Sequence, residues 1–152
     1  MGAVDVQLGP ARVLEAPALA EISRRLIEQG LAWRWRPAAI ARLVRSAHCE
    51  VVVARRSSEI LGFGALELGL DTAHLVLLGV VPPARRTGIG RALVEYLTRM
   101  AATAGVEAIS LEVRATHSGA RRFYAELGYR EVARLPGYYS GREAAVRMSR
   151  YL

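Results

Sequence analysis

Lysine and asparagine occur nowhere in this chain of 152 residues, and cysteine occurs once, at Cys49. A lone thiol excludes an intramolecular disulfide, and no Cys/His spacing suggests a metal-ligand set. A reducing compartment and no metal are therefore expected. No apolar run approaches the roughly 18 residues a membrane-crossing helix needs. Residues 1–13 lack a basic stretch followed by a long apolar one, and Val6 stands where a myristoylation signal would want Ser or Thr. The chain reads as cytoplasmic, with no membrane partner. Zinc-finger spacing, a basic tail and an aromatic-rich basic stripe are also missing, so nucleic acid is not an expected partner.

Because lysine is absent, all 21 basic residues are arginine, and against 14 acidic residues they leave a net charge of +7. They are scattered from Arg24 and Arg25 through Arg121 and Arg122, as expected of a charged surface with one anion site. An apolar fraction of 52% in a chain of this length suffices for one core and one domain.

Hydrophobic periodicity organises the chain. A short strand is expected around Val4 to Gln7. Leu19, Ile22, Leu26 and Ile27 recur at helical spacing over Ala16 to Glu28, and Gly30 ends that helix. Pro37 opens a second helix to about Ser46. Glu50–Arg55 and Ile60–Leu68 read as a hairpin. His74–Val81 is almost wholly apolar and reads as a central strand buried on both faces. Gly88 to Thr103 carries Ile89, Leu93, Tyr96, Leu97 and Met100 on one helical face, with Gly105 as a stop. Ala108–Val113 then completes a β-α-β unit with parallel strands and a right-handed crossover. Ser118 is placed to cap a helix to Leu127, and Tyr129–Arg134 and Glu143–Met148 read as final strands. The whole is an α+β domain spanning residues 1–152.

The sharpest feature is the strand-to-helix junction Val80-Val81-Pro82-Pro83-Ala84-Arg85-Arg86-Thr87-Gly88-Ile89-Gly90-Arg91. Glycine lets backbone approach a phosphate, the first helical N–H groups lack internal partners, and the helix dipole adds positive potential. Arg85, Arg86 and Arg91 add charge-assisted donors. A Walker loop would need the missing lysine, and a dinucleotide fingerprint a small residue at Leu93. The bland alternative is a turn whose arginines are solvated.

Arg85 to Gly90 resembles the Gln/Arg-x-x-Gly-x-Gly/Ala pyrophosphate signature of the GNAT superfamily of N-acetyltransferases. Leu111-Glu112-Val113-Arg114 and Phe123-Tyr124-Ala125-Glu126-Leu127-Gly128-Tyr129 follow at the spacing that family uses. Gly137-Tyr138-Tyr139 and Ala145-Val146-Arg147-Met148 resemble the branch that acetylates protein N-termini, the bacterial ribosomal-protein-alanine N-acetyltransferases included. The resemblance covers residues 50 to 152. It implies a mostly antiparallel sheet with helices on both faces and one parallel pair splaying after a bulge, with acetyl-CoA as cosubstrate in the gap.

It further implies that Gly79, Val80 and Val81 meet the pantetheine arm and that Arg85, Arg86, Thr87, Gly88, Ile89, Gly90 and Arg91 hold the pyrophosphate. Tyr124 matches the acid that protonates the leaving thiolate, and Glu112 the base that takes a proton from the amine. Each position has a structural alternative. Tyr124 is otherwise a core tyrosine, and Glu112 a carboxylate paired with Arg114 on the same strand face. His117 stands where the family often has a cofactor-contacting asparagine, and is otherwise exposed. Trp33 and Trp35, interleaved with arginines, form an acceptor lip or cap a core. Tyr138 and Tyr139, in a loop near Pro136, wall the acceptor channel or pack a hairpin. His48 and His74 read as structural.

The expected acceptor is a primary amine, either a protein N-terminus or a small amine such as an amino acid, polyamine or antibiotic. A non-catalytic acyl-CoA-binding protein or a basic nucleic-acid binder is the alternative of a different class, and either a monomer or a homodimer is expected.

Overall fold

A computed structural model describes residues 5–152. The chain runs β1 (Gln7–Pro10), α1 (Ala16–Ile22), α2 (Pro37–Arg45), β2 (Cys49–Arg56), β3 (Glu59–Leu68) and β4 (Thr72–Val80). It continues through α3 (Ile89–Ala104), β5 (Ala108–Arg114), α4 (Ser118–Glu126), β6 (Arg130–Tyr139) and β7 (Glu143–Tyr151). Seven strands form one sheet in the order β1-β2-β3-β4-β5-β7-β6. All neighbours are antiparallel except β4 and β5, so the expected mixed α+β sheet is present.

The expected first strand begins later than the sequence pattern implied. Val4 lies outside the described residues, and β1 pairs Gln7–Pro10 with Val52–Arg55. The first helix turns into a π-helix at Ser23–Ile27, where the Glu28 N–H reaches back to the Ser23 carbonyl. Pro37 stands at the first position of α2, as its fixed φ favours. Gly88 and Gly105 bracket α3 in left-handed conformation, at φ 87° and 84°. The cap of α4 is His117 rather than Ser118: its Nδ1 accepts from the Ala120 N–H at 3.1 Å.

Two apolar layers sandwich the sheet. On one face Leu93, Leu97 and Ala101 of α3 pack on Leu61, Leu66, Leu75, Ile109 and Leu111. On the other, Leu19, Ala20 and Ile40 of α1 and α2 pack on Val51, Val53, Phe63 and Leu77. Each fully buried large aliphatic side chain contributes about 1.5–3 kcal/mol of transfer free energy.

The parallel register of β4 and β5 holds for Thr72↔Ala108, Ala73↔Ile109 and His74↔Ser110, and ends there. A bulge precedes the parting: between Ala65↔Leu77 and Leu66↔Leu75 the strand β4 carries an extra residue, Val76. A bulge bends and twists the strand that bears it. Beyond it β4 runs to Val80 and β5 to Arg114 as the two arms of a cleft. This also corrects the reading of β4 as buried on both faces. His74, Val76, Leu78 and Val80 are only half-buried.

Candidate active site

Strand alternation decides what faces the cleft between β4 and β5. The Val81 N–H donates to the Leu61 carbonyl at 2.9 Å, so β3 takes the polar groups of every second residue from there. The N–H and carbonyl of Val80 point the other way, toward the side from which β5 departs. Of the pair expected to meet the pantetheine, Val80 has its N–H turned away from β3, whereas the Val81 N–H is taken by the Leu61 carbonyl and the Val81 carbonyl by the Ala84 N–H. Arg85 Nε donates to the Val80 carbonyl at 3.1 Å. Gly79 lets the first helix pack closely on β4: a Cβ there would lie 3.3 Å from both Ile22 and Ile27.

At the far end of β4 the chain makes a short turn and enters α3. Arg86 takes φ 63° and Gly88 φ 87°, which turns the backbone into the helix. The Thr87 hydroxyl folds back onto the Ala84 carbonyl. No side chain caps α3, and nothing lies within 4 Å of the position a Gly88 Cβ would take. The opening amides of a four-turn helix therefore face open space with the positive end of its dipole. This is the fit a diphosphate requires. Ile89 buries its side chain in the core and can offer only its N–H, while Gly90 lets Phe123 approach to 3.3 Å of a Cβ position. Arg85 and Arg86 are exposed, and Arg91 shares its charge with Glu95 at 3.8 Å. A cavity of about 700 Å³ lined by Arg24, Arg25, Gln29, Pro82 and Arg85 continues from this loop along the end of the first helix.

Glu112 and Tyr124 approach the cleft from opposite faces of the sheet. Tyr124 sits in the α3/α4 layer, 7% exposed, its ring edge-on to Phe123 at 5.0 Å and to Tyr129 at 5.6 Å. Burial pushes its phenol well above the usual value, so it stays protonated at neutral pH and available as an acid. Among the described residues no protein group hydrogen-bonds that hydroxyl.

Glu112 lies on the other face, with only 8% of its side chain exposed. Its partner is not Arg114, as strand parity suggested. His74 Nε2 lies 2.6 Å from its Oε1, Arg147 Nε donates to its Oε2 at 2.8 Å, and the Tyr138 hydroxyl lies 3.4 Å from Oε1. The reason is register: Arg147 stands directly opposite Glu112 across β5 and β7. The hydrogen bond from His74 first, helped by Arg147 and opposed by burial, holds the Glu112 carboxyl at about 2. The same bond raises the His74 imidazole above its ordinary value.

Arg114 instead bridges the cleft to the helical layer, donating to the carbonyls of Gln29 at 2.6 Å and Ile27 at 3.3 Å and pairing with Glu143. Its guanidinium lies 5.7 Å from the Tyr139 ring. Tyr138 and Tyr139 belong to the end of β6, past an irregularity between Leu135 and Tyr139, and not to a loop. Their rings meet edge-on at 4.9 Å, and burial raises the Tyr139 phenol to about 12.

Trp33 and Trp35 pack against the α1/α2 core layer, with Arg36 over Trp33 at 4.8 Å and Arg34 over Trp35 at 5.3 Å. They pack on a core with each ring only partly buried. Their connector is pinned by Glu28, a buried carboxylate that accepts from Ser23 Oγ at 2.7 Å and from the N–H groups of Arg34 and Trp35. His117, exposed and used in the α4 cap, stands apart from the cluster around Glu112.

His74, Arg147 and Glu28 were not singled out from the sequence as site residues. Only for His74 was there a signal: it is the one titratable residue in an otherwise apolar strand. Among the described residues no cluster of His, Cys, Asp and Glu has the composition to hold a metal, and no helix is long and apolar enough to cross a membrane.

Known proteins share this fold. The chain is 35% identical over 97 residues to the ribosomal protein bS18-alanine N-acetyltransferase of Escherichia coli, a span covering 62% of this chain and 66% of that protein, just under two thirds. The crystal structure of the ribosomal-protein-S18-alanine N-acetyltransferase from Escherichia coli superposes with a TM-score of 0.84 at 27% identity, covering 97% of this chain and 94% of that one. Arabidopsis thaliana NAA60, solved in complex with acetyl-CoA, shares the fold at a TM-score of 0.86 and 18% identity, over 97% and 99% of the two chains. The acetyltransferase (GNAT) family model matches residues 16–129, which include the β4 cleft, the turn into α3, Glu112 and Tyr124, and the chain belongs to that family.

Proposed function

We propose that the chain is an acetyl-CoA-dependent N-acetyltransferase that acetylates a primary amine by direct attack in a ternary complex. The observation that carries this reading is the parting of β4 and β5 beyond His74 and Ser110. An ionised carboxylate flanks the parting on one face and a protonated phenol on the other, and the uncapped start of α3 stands at its end.

Acetyl-CoA supplies an activated acyl thioester. The Val80 backbone and the amides opening α3 would bind it, with Arg85 and Arg86 as cationic neighbours. Tyr124 donates its proton to the departing sulfur. On the acceptor side, the group built on Glu112 draws an ammonium toward the cleft and prepares it for deprotonation. Tyr138, whose hydroxyl reaches Glu112, and Tyr139 form one wall of that side.

The proposed acceptor is the α-amine of a protein N-terminus, supported by likeness to a relative whose name specifies alanine of a ribosomal protein. The test is release of CoA thiol from acetyl-CoA against a panel of peptides beginning with Ala, Ser or Met, beside polyamines and aminoglycosides. Turnover is expected on the peptides. Turnover on small amines alone would move the acceptor class, and binding of acetyl-CoA without transfer to any amine would reduce the chain to an acyl-CoA-binding protein.

A further inference from the structure

The geometry points to His74, not Glu112, as the residue that takes the proton from the acceptor amine, with Glu112 as the positioning residue that orients the imidazole. The inference rests on the proposed transfer to an amine.

An ionised carboxylate only accepts hydrogen bonds. At 2.6 Å from Glu112 Oε1, His74 Nε2 must therefore carry the hydrogen, which fixes the tautomer and leaves the lone pair of the neutral ring on Nδ1. Glu112 is in turn held by Arg147 at 2.8 Å. Acceptor, orienting carboxylate and fixing cation thus stand in sequence, the logic that governs any base oriented by a third group. His74 sits at the last paired position of β4 and β5, the apex of the cleft, with 39% of its side chain exposed. The charged groups facing it are Glu112 of β5, Glu67 of β3 at 3.9 Å from Nδ1, and Arg147 of β7 at longer range; Tyr138 of β6 reaches it only through Glu112.

Proton affinity separates the two candidates. An α-amino group has an ordinary pKa of about 8, so moving its proton to a carboxyl held at about 2 is unfavourable by roughly a million-fold. An imidazole raised above 6.5 lies close to the amine it must serve. In the step, the ammonium N–H bond breaks, its electron pair stays on nitrogen to attack the thioester carbonyl, and the proton bonds to Nδ1. The resulting imidazolium stays paired with Glu112 and returns its proton to solvent after release. As the tetrahedral adduct collapses, the C–S bond breaks with its electron pair on sulfur, which takes the Tyr124 proton. The second proton lost by the nitrogen passes to solvent, from which Tyr124 is reprotonated.

The test measures kcat against pH with acetyl-CoA and an alanine-terminated peptide both saturating, in wild type, His74→Gln and Glu112→Gln. The expected result is an acid limb in wild type, its loss in His74→Gln with kcat reduced by about 100-fold or more, and its displacement to lower pH in Glu112→Gln. Histidine ¹⁵N shifts of the wild-type protein without substrate provide a readout independent of turnover and of variant folding: the neutral ring is expected as the Nε2–H tautomer. An Nδ1–H tautomer overturns the inference, as does an unchanged acid limb in an active His74→Gln. Those outcomes leave the proposed transfer standing, whereas absence of transfer by wild type to any amine removes both.

Discussion

The two faces of β4 and β5 differ in burial and in charge. Toward α3 and α4 the strands present Ala73, Leu75, Ile109, Leu111 and Val113, all buried, with Tyr124 packed among them. Toward α1 and α2 the same strands present His74, Ser110, Glu112 and Arg114, only partly buried, with His74, Glu112 and Arg114 bound into ion pairs. A period of two residues places a dry layer and a charged one a strand's thickness apart. The dry side raises the Tyr124 phenol by desolvation, and the charged side lowers the Glu112 carboxyl by hydrogen bonding. Their separated proton affinities suit the opposite roles of the proposed mechanism, in which the dry face supplies the acid and the charged face prepares the amine.

The dry face is tested hardest by Tyr124→Phe, which keeps the ring packing and removes the acidic hydroxyl. Turnover is expected to fall by about 10²- to 10⁴-fold, while calorimetry gives nearly the wild-type affinity for acetyl-CoA. Equal activity would take Tyr124 out of the chemistry and leave it a core tyrosine.

On the charged face, Glu112→Gln should lower stability at neutral pH by about 1–2 kcal/mol. That figure is discounted because His74 and Arg147 are each roughly two-fifths exposed. The sign follows from the depressed carboxyl. Its contribution is complete above its ordinary value of 4.5 and disappears as pH falls through about 2. Melting temperatures from pH 6 to pH 2 should therefore fall more steeply in wild type than in the variant. His74 works in the opposite sense: its raised value stabilises the fold below pH 6.5, and the gain is lost as pH rises through the folded-state value.

How much of this contrast was legible beforehand depended on range. Alternation over Ala108–Val113 put Glu112 on the polar face, and glycines at 88 and 105 marked both ends of α3, because those signals act within a few residues. Partner choice was not legible. Arg114 lies two residues along the strand and reaches the carbonyls of Ile27 and Gln29, while Arg147, 35 residues away, is placed opposite Glu112 by the β5–β7 register. His74 looked structural because its significance comes from the pairing of two strands that are distant in sequence. The His117 cap illustrates a local contest: Ser118 has the better capping propensity, yet the chain folds so that the preceding imidazole accepts the Ala120 N–H.

Two smaller effects sharpen the contrast at the ends of the cleft. Gly88→Ala forces a side chain into left-handed backbone with open space around it. A loss of about 1 kcal/mol in denaturant unfolding and weaker binding of CoA are expected together. His117→Ala removes only a cap, so about 0.5–1 kcal/mol of stability should be lost with CoA affinity unchanged. A large drop in affinity there would return His117 to the cofactor site.

The most direct measurement is amide NMR of the ¹⁵N-labelled protein titrated with acetyl-CoA. Binding in the parting of β4 and β5 should shift and protect the amides of Val80 and of Gly88 to Arg91, with smaller changes on β1 and β2. Saturable binding that leaves Val80 and the start of α3 unmoved would contradict the placement of the thioester between these strands.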